Sequence, residues 1–410
     1  MTLPEIDLVD ATAYERDGAP YEQFRWLRAN DPVHWHPGDA VRGWPGFWAI
    51  TRHEDVTYVS RHPELFSSHT KLALFDESPD DNIALQQMMM LNQDPPDHTR
   101  KRGFVNRGFT PRAIGVLEQH IRDICRQLIS EVGPEADFVH DIAAPLPLYV
   151  ICELLGAPIE DREKIFEWSN ALIGFDDPEF QASPDAGEIA AGQIYAYANQ
   201  LADERRENPR DDIVTKLLEP DDRGDRLSTD EFDLFVLLLT VAGNETTRNA
   251  ASGGMLTLFQ HPEQWQRLLS DKSLVRTAVD EIVRWVTPVN LFRRTATQDI
   301  ELHGKTIKKG DKVVVFYSSA NRDESVFADP DVFDVGRNPN PHIGFGGGGP
   351  HFCLGAHLAR LELRVLFETL LELMATIEPR GNARRLRSNF INGIKEMPVR
   401  HSPGLAEPRA

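Results

Sequence analysis

A mainly α fold with small β-sheets is predicted by three observations. Helical periodicity dominates from about Pro111 to Val286. Within that span, one apolar run is long enough to pass through the centre of a domain. Strand signals gather near the two ends of the chain, at 34–51, 293–318 and 388–400. No internal repeat or low-complexity linker divides the sequence, so residues 1–410 are expected to form a single domain.

The elements follow in order. Phe47-Trp48-Ala49-Ile50-Thr51 is aromatic and β-branched and comes just after a Pro-Gly turn signal, which reads as strand. Helix then prevails, with polar breaks near 134–137, 174–187 and 219–228. Ser228-Thr229-Asp230-Glu231 is a capping box, and His261-Pro262 ends the helix that it opens. The helix runs for about 32 residues, or roughly 48 Å. Strands return at 293–318, where Arg294-Thr295-Ala296-Thr297 and Val313-Val314-Val315-Phe316 flank glycines at 304 and 310. Residues 321–352 hold little regular pattern. A last helix is expected from about Leu354 to Thr376, then a hairpin around Asn392-Gly393 and a disordered tail from about Ser402.

Composition narrows the function classes. A hydrophobic content of 41% with 26% charged residues is that of a soluble globular protein. The net charge of -20 argues against nucleic acid as a partner. The three cysteines lack C-x-x-C spacing, which removes a disulfide framework and a structural zinc site. Cys125 and Cys152 lie in apolar helical stretches and are expected in the core. The N-terminus has neither a basic nor an apolar leader region, and the most apolar window, Phe232–Val241, is too short to span a bilayer. A cytoplasmic protein without a membrane anchor is expected.

Cys353 is the residue most open to chemistry. It follows five glycines within six residues, at 344 and 346–349, and precedes a helix. A thiol near a helix N-terminus meets unpaired N–H groups and the positive end of the helix dipole, which favour a metal-binding thiolate. The glycines would let the backbone approach something flat or bulky. Gly344-x-Gly346-x-x-Gly349 also matches a dinucleotide fingerprint. However, Asn338-Pro339-Asn340-Pro341 is poor strand sequence and the helix opens only near Cys353, so the required context is missing.

Three further constellations stand out. Ala242-Gly243-Asn244-Glu245-Thr246-Thr247 interrupts the long apolar helix. It reads either as a bend with a solvated face or as an oxygen-binding notch with an acid–alcohol relay. Glu281 and Arg284 are spaced to pair, and a buried glutamate calls for such a partner and a third group. His98, Arg100, Lys101 and Arg102, with Arg107 and Arg112 beyond, form a basic cluster suited to anions, to an acidic partner or simply to solvent.

Together these motifs resemble the cytochromes P450, the haem-thiolate monooxygenases, from about Tyr21 to Arg400. The resemblance rests on AGNETT at 242–247, EIVR at 281–284, DVFDVGR at 331–337 and FGGGGPHFCLG at 345–355. It implies a helical bundle around the long central helix, with haem b buried between that helix and the cysteine loop. Cys353 would be the axial ligand, with Ala242, Phe345 and Gly355 also at the cofactor. His98, Arg102, Arg294 and His351 match propionate-binding positions. Glu245 and Thr246 match the pair that delivers protons to dioxygen. Glu281, Arg284 and Arg337 match a supporting trio.

Phe345 lies eight residues before the cysteine where the common pattern has seven, so either Phe345 or Phe352 is left to pack beside the sulfur. The extra residue is similar to a branch that hydroxylates sterol side chains and methyl-branched lipids. Arg107–Arg112, Thr287–Ala296 and Asn392–Lys395 are similar to it too. A small hydrophobic substrate of that kind is therefore expected, with a terpenoid alcohol as the next reading. Met88, Leu91, Leu238, Val289, Leu291 and Ile391 are the candidate pocket walls. No flavin or NAD module fits in the chain, so a ferredoxin and its reductase are the expected electron donors. Arg100, Lys101, Arg102, Arg107, Arg112, Arg360 and Arg364 are their candidate docking cations. A peroxide-driven peroxygenase and a non-catalytic haem carrier are the more distant readings.

Overall fold

The central helix, Thr229–Gln260, organises the molecule. This computed structural model describes residues 6–402, apart from 40–43, 78–79, 107–108, 182, 184, 222 and 375. The capping box forms as its residue types require: Ser228 Oγ accepts the Glu231 N–H at 3.2 Å, and Glu231 Oε2 accepts the Ser228 N–H at 2.9 Å. The helix stops at His261 because Pro262 starts a new one. Its apolar faces pack against helices Pro145–Leu155, Arg162–Ile173, Ala186–Glu207, Val275–Val286 and Ala356–Leu373. We call the last two the clamp helix and the proximal helix. One apolar core fills the space between these helices.

Among the described residues the strands form four sheets. They are β1 (Val33–His36), β2 (Phe47–Ile50), β3 (Phe66–Ser67), β4 (Glu135–Asp137), β5 (Leu291–Ala296), β6 (Ile300–Leu302), β7 (Lys305–Ile307), β8 (Lys312–Phe316), β9 (Thr376–Pro379), β10 (Arg384–Arg385), β11 (Ile394–Glu396) and β12 (Pro398–Ser402). The largest sheet has the order β1-β2-β8-β5-β3. β8 is buried along its whole length, as its valine run requires of an interior strand. It pairs parallel to β2 and antiparallel to β5.

Three expectations need correction. The Asn392-Gly393 hairpin does not form. Ile391 bridges Val289, β11 pairs back to β10, and β12 joins β4 and β9. The dipeptide is used for docking instead. The Asn392 N–H donates to Pro288 O at 3.0 Å, and its side-chain amide donates to Val286 O. Ser402 is part of β12, so the chain is ordered there, and residues 403–410 lie outside the described residues. The last helix spans Ala356–Leu373 and is shorter at both ends, because Thr376 joins β9. Among the described residues, no helix is long and apolar enough to cross a membrane.

The proximal helix also buries an acid. Glu362 is 2% exposed and its Oε2 has no partner among the described residues. Burial alone pushes this carboxyl up from 4.5 to about 8. Between those values the folded protein keeps a proton that the unfolded chain releases. Stability should therefore fall as pH rises through that window, by up to about 5 kcal/mol. Glu362→Gln is expected to remove this fall, and urea unfolding at about pH 5 and about pH 9 checks it. Equal pH dependence in both proteins would count against it.

Candidate functional site

The cysteine loop is moulded on the protein itself. A Cβ on Gly347 would come within 2.6 Å of Ser60 Oγ, and one on Gly349, at φ +73°, would collide with the Ser60 carbonyl. The close approach that glycine permits here is to helix His53–Arg61. The Cys353 N–H donates to Phe345 O at 2.9 Å. The thiol has accessible surface yet is crowded by protein atoms, so it faces an interior cleft. Burial pushes it up, against weaker pulls from the Gly355 N–H, Arg102 and Arg360. The expected lowering by the helix terminus is thus outweighed, since the proximal helix starts only at Ala356. Phe345 packs against the core, whereas Phe352 is 39% exposed.

Leu238, Ala242 and Thr246 are spaced four apart on the central helix. They keep accessible surface, with Val241 and Gly243 half-buried beside Ala242, which marks this stretch of the helix as lining a cleft. Thr246 Oγ1 donates to Ala242 O at 2.9 Å. Glu245 is turned away from this hydroxyl. It is 1% exposed and ion-paired with Arg248, whose other arm donates to Asn170 Oδ1 at 2.9 Å. Burial raises this carboxyl and Arg248 pulls it back. The fold thus does not join Glu245 to Thr246 directly. Arg248 is a site residue that the motif reading passed over; its signal was an arginine three positions after a buried acid.

His98, Arg102, Arg294 and His351 converge although the sequence holds them far apart. The His98 and His351 rings lie 4.3 Å apart. His351 Nε2 is 3.3 Å from Ser68 Oγ, and Arg102 donates to Pro350 O at 3.1 Å. Arg294 is 5% exposed, and its guanidinium donates to the Arg293 carbonyl at 2.7 Å. His98 Nδ1 is buried without a partner among the described residues. Burial, with Arg102 next, takes His98 down to about 4; burial, with Arg294 next, takes His351 down to about 2. Asp94, the acid close by, is engaged by Ser67 and Ser68. Among the described residues, neither arginine has a carboxylate partner. A buried basic cluster of this kind suits a ligand with carboxylates.

Glu281 and Arg284 are both fully buried and pair at 2.7 and 2.8 Å. Arg337 Nε reaches both Glu281 oxygens, at 3.2 and 3.1 Å. The Asp334 N–H and the Asn340 amide add 2.9 and 3.2 Å contacts. One carboxylate therefore gathers the segment that leads into the cysteine loop.

The remaining candidates divide. Val289, Leu291 and Ile391 share one apolar cluster, but Leu291 and Ile391 are sealed in it, at 0% and 1% exposure. Met88, Leu91, Leu238 and Val289 are the half-buried ones and can form walls. Most of the basic patch is already neutralised. Arg100 pairs with Asp225 and Glu231, and buried Lys101 with Glu231. Arg364 pairs with Glu118 and Glu368, and Arg360 with Asp280. Arg112 is exposed, and Arg107 lies outside the described residues.

The sequence profile described as Cytochrome P450 matches residues 159–389. A "Steroid C26-monooxygenase" of Rhodococcus jostii is 47% identical over 406 residues, covering 97% of this chain and 85% of that protein. A "Methyl-branched lipid omega-hydroxylase" of Mycobacterium tuberculosis is 46% identical over 393 residues, covering 94% and 90%. A solved Mycobacterium marinum cytochrome P450 in complex with pseudoionone superposes with a TM-score of 0.90 at 39% identity, covering 98% and 99%.

Proposed function

The chain belongs to the cytochrome P450 family of haem-thiolate monooxygenases, and we propose that it hydroxylates the terminal methyl region of a sterol side chain or methyl-branched lipid. The reading is carried by the match of two relatives with those activities over nearly the whole chain. The overall reaction is R–H + O2 + 2e⁻ + 2H⁺ → R–OH + H2O.

The donor set fits haem b. The uncompensated cluster of His98, Arg102, Arg294 and His351 would take the propionates, and Cys353 would ligate the iron. Haem bound there supplies dioxygen activation and C–H oxidation. The chain's own residues do the rest. The central helix runs unbroken through Ala242 and Thr246, whose side chains keep accessible surface. The Thr246 hydroxyl can give up the Ala242 carbonyl to hold a proton or water in the cleft. Glu245, held by Arg248, stands as a proton reserve behind it. Met88, Leu91, Leu238 and Val289 keep water from the hydrocarbon and adapt to its shape. Electrons come from a ferredoxin and its reductase. Because most of the expected docking cations are internally paired, Arg112 is, among the described residues, an exposed cation left to meet that partner.

The test is a spin-state titration with a cholestane-type sterol, a methyl-branched fatty acid and a monoterpene alcohol, followed by product analysis with ferredoxin and reductase. A high-spin shift and a terminal alcohol from the sterol or branched acid are expected. The relative bound to pseudoionone, an acyclic isoprenoid ketone, favours a terpenoid as the second reading. A response to the monoterpene alone would put that reading first. Product with peroxide but none with ferredoxin would refute the donor.

A further inference from the structure

The acid beside Glu281 on the clamp helix, Asp280, holds the other half of the cysteine loop. Its Oδ1 accepts from Arg360 Nε at 2.7 Å and from His342 Nε2 at 3.1 Å. The His342 side chain is 2% exposed, and its Nδ1 accepts the Gly344 N–H at 3.2 Å. That acceptor role leaves the ring proton on Nε2, so one tautomer serves both contacts. His342 and Arg360 pull the Asp280 carboxyl down against the opposing push of burial, and it is a carboxylate in the folded protein.

Phe345 sits inside this frame. The His342 ring lies 5.7 Å from it, and the Arg360 guanidinium carbon stands 4.4 Å from its centroid, within cation–π range. The Phe345 carbonyl in turn takes the Cys353 N–H at 2.9 Å. Arg360 also acts on the sulfur through its charge. Two consecutive carboxylates thus share the loop: Glu281 takes Asp334–Asn340, and Asp280 takes the part from His342 to Phe345.

We propose that Asp280 is a positioning residue for Cys353: through His342 and Arg360 it fixes Phe345 and holds one positive charge beside the sulfur, setting how strongly the thiolate donates to iron. The inference rests on Cys353 being the iron ligand. A nearby cation withdraws electron density from a thiolate, and weaker donation makes the iron easier to reduce.

The experiment uses purified holoprotein and four variants: Asp280→Asn, Arg360→Met, Arg360→Lys and the double variant Asp280→Asn/Arg360→Met. It reads the reduction potential, the ratio of thiolate-type to thiol-type Soret bands in the reduced carbon-monoxide complex, and the urea midpoint. Arg360→Met is expected to shift the potential negative, and Arg360→Lys to restore most of the shift. Asp280→Asn is expected to shift it negative too, because the amide releases Arg360. The double variant Asp280→Asn/Arg360→Met should move no further than Arg360→Met. A positive shift in Asp280→Asn means that Arg360 stays without it, and overturns the positioning role. Unchanged potentials and band ratios in all variants also overturn it, whatever the urea midpoints do. A wild type that lacks the thiolate-type band overturns the Cys353 reading and this inference with it. A normal wild-type band with unmoved variants overturns this inference alone.

Discussion

Cys353→Ser is expected to abolish the thiolate-type Soret band and reduce hydroxylation to background. A serine oxygen cannot supply the sulfur–iron bond that gives this band, and neither of the other two cysteines can supply a thiolate. Cys125 and Cys152 are fully buried, with thiols that burial pushes up to about 12. The loop itself should survive the change. Its path is set by the backbone contact between residues 353 and 345 and by glycines packed on helix His53–Arg61, none of which involves the sulfur. The basic cluster remains, so the variant is expected to retain haem. Haem content, the reduced carbon-monoxide spectrum and the urea midpoint separate these effects. A variant that keeps the thiolate-type band would remove Cys353 from its proposed role.

Glu281→Ala is expected to destabilise the protein by about 3–5 kcal/mol and to cost it most of its haem. The loss is larger than that of one hydrogen bond because the partner is trapped. Arg284 has 0% side-chain exposure, and its remaining acceptors are the carbonyls of Asn321, Pro330 and Val332, at 2.8, 2.9 and 3.3 Å. Its charge would stay in the interior with no carboxylate to balance it. Asp334, Arg337 and Asn340 would lose their common acceptor at the same moment. Urea unfolding of wild type and variant measures the difference. A change below about 1 kcal/mol, the scale of an ordinary substitution, would show that the network is redundant.

What the sequence makes legible here is local. The capping box and His261-Pro262 bound the central helix because each signal acts within one helical turn. Glu281 and Arg284 were readable because i,i+3 spacing places them side by side. Contacts across the fold were not. Asn392-Gly393 has the composition of a hairpin turn, but the C-terminal end of the clamp helix and the turn after it compete for it and win. Glu245 and Thr246 are adjacent in sequence and separate in space, because neighbouring helical residues point about 100° apart and Arg248 takes the acid. Asp280 gave no signal, since its partners His342 and Arg360 lie 62 and 80 residues away. The basic cluster was placed by family resemblance; the residues alone left it open between anions, an acidic partner and solvent.

The fit of Gly347 and Gly349 against Ser60 bears on how portable the metal-binding segment is. The loop's shape is written partly in a helix almost three hundred positions upstream. A stretch transplanted from a relative would arrive without its mould unless residues 56–61 travelled with it. Engineering of this loop therefore has a two-part unit of exchange, and chimaeras cut between the halves should inherit neither parent's geometry at the sulfur.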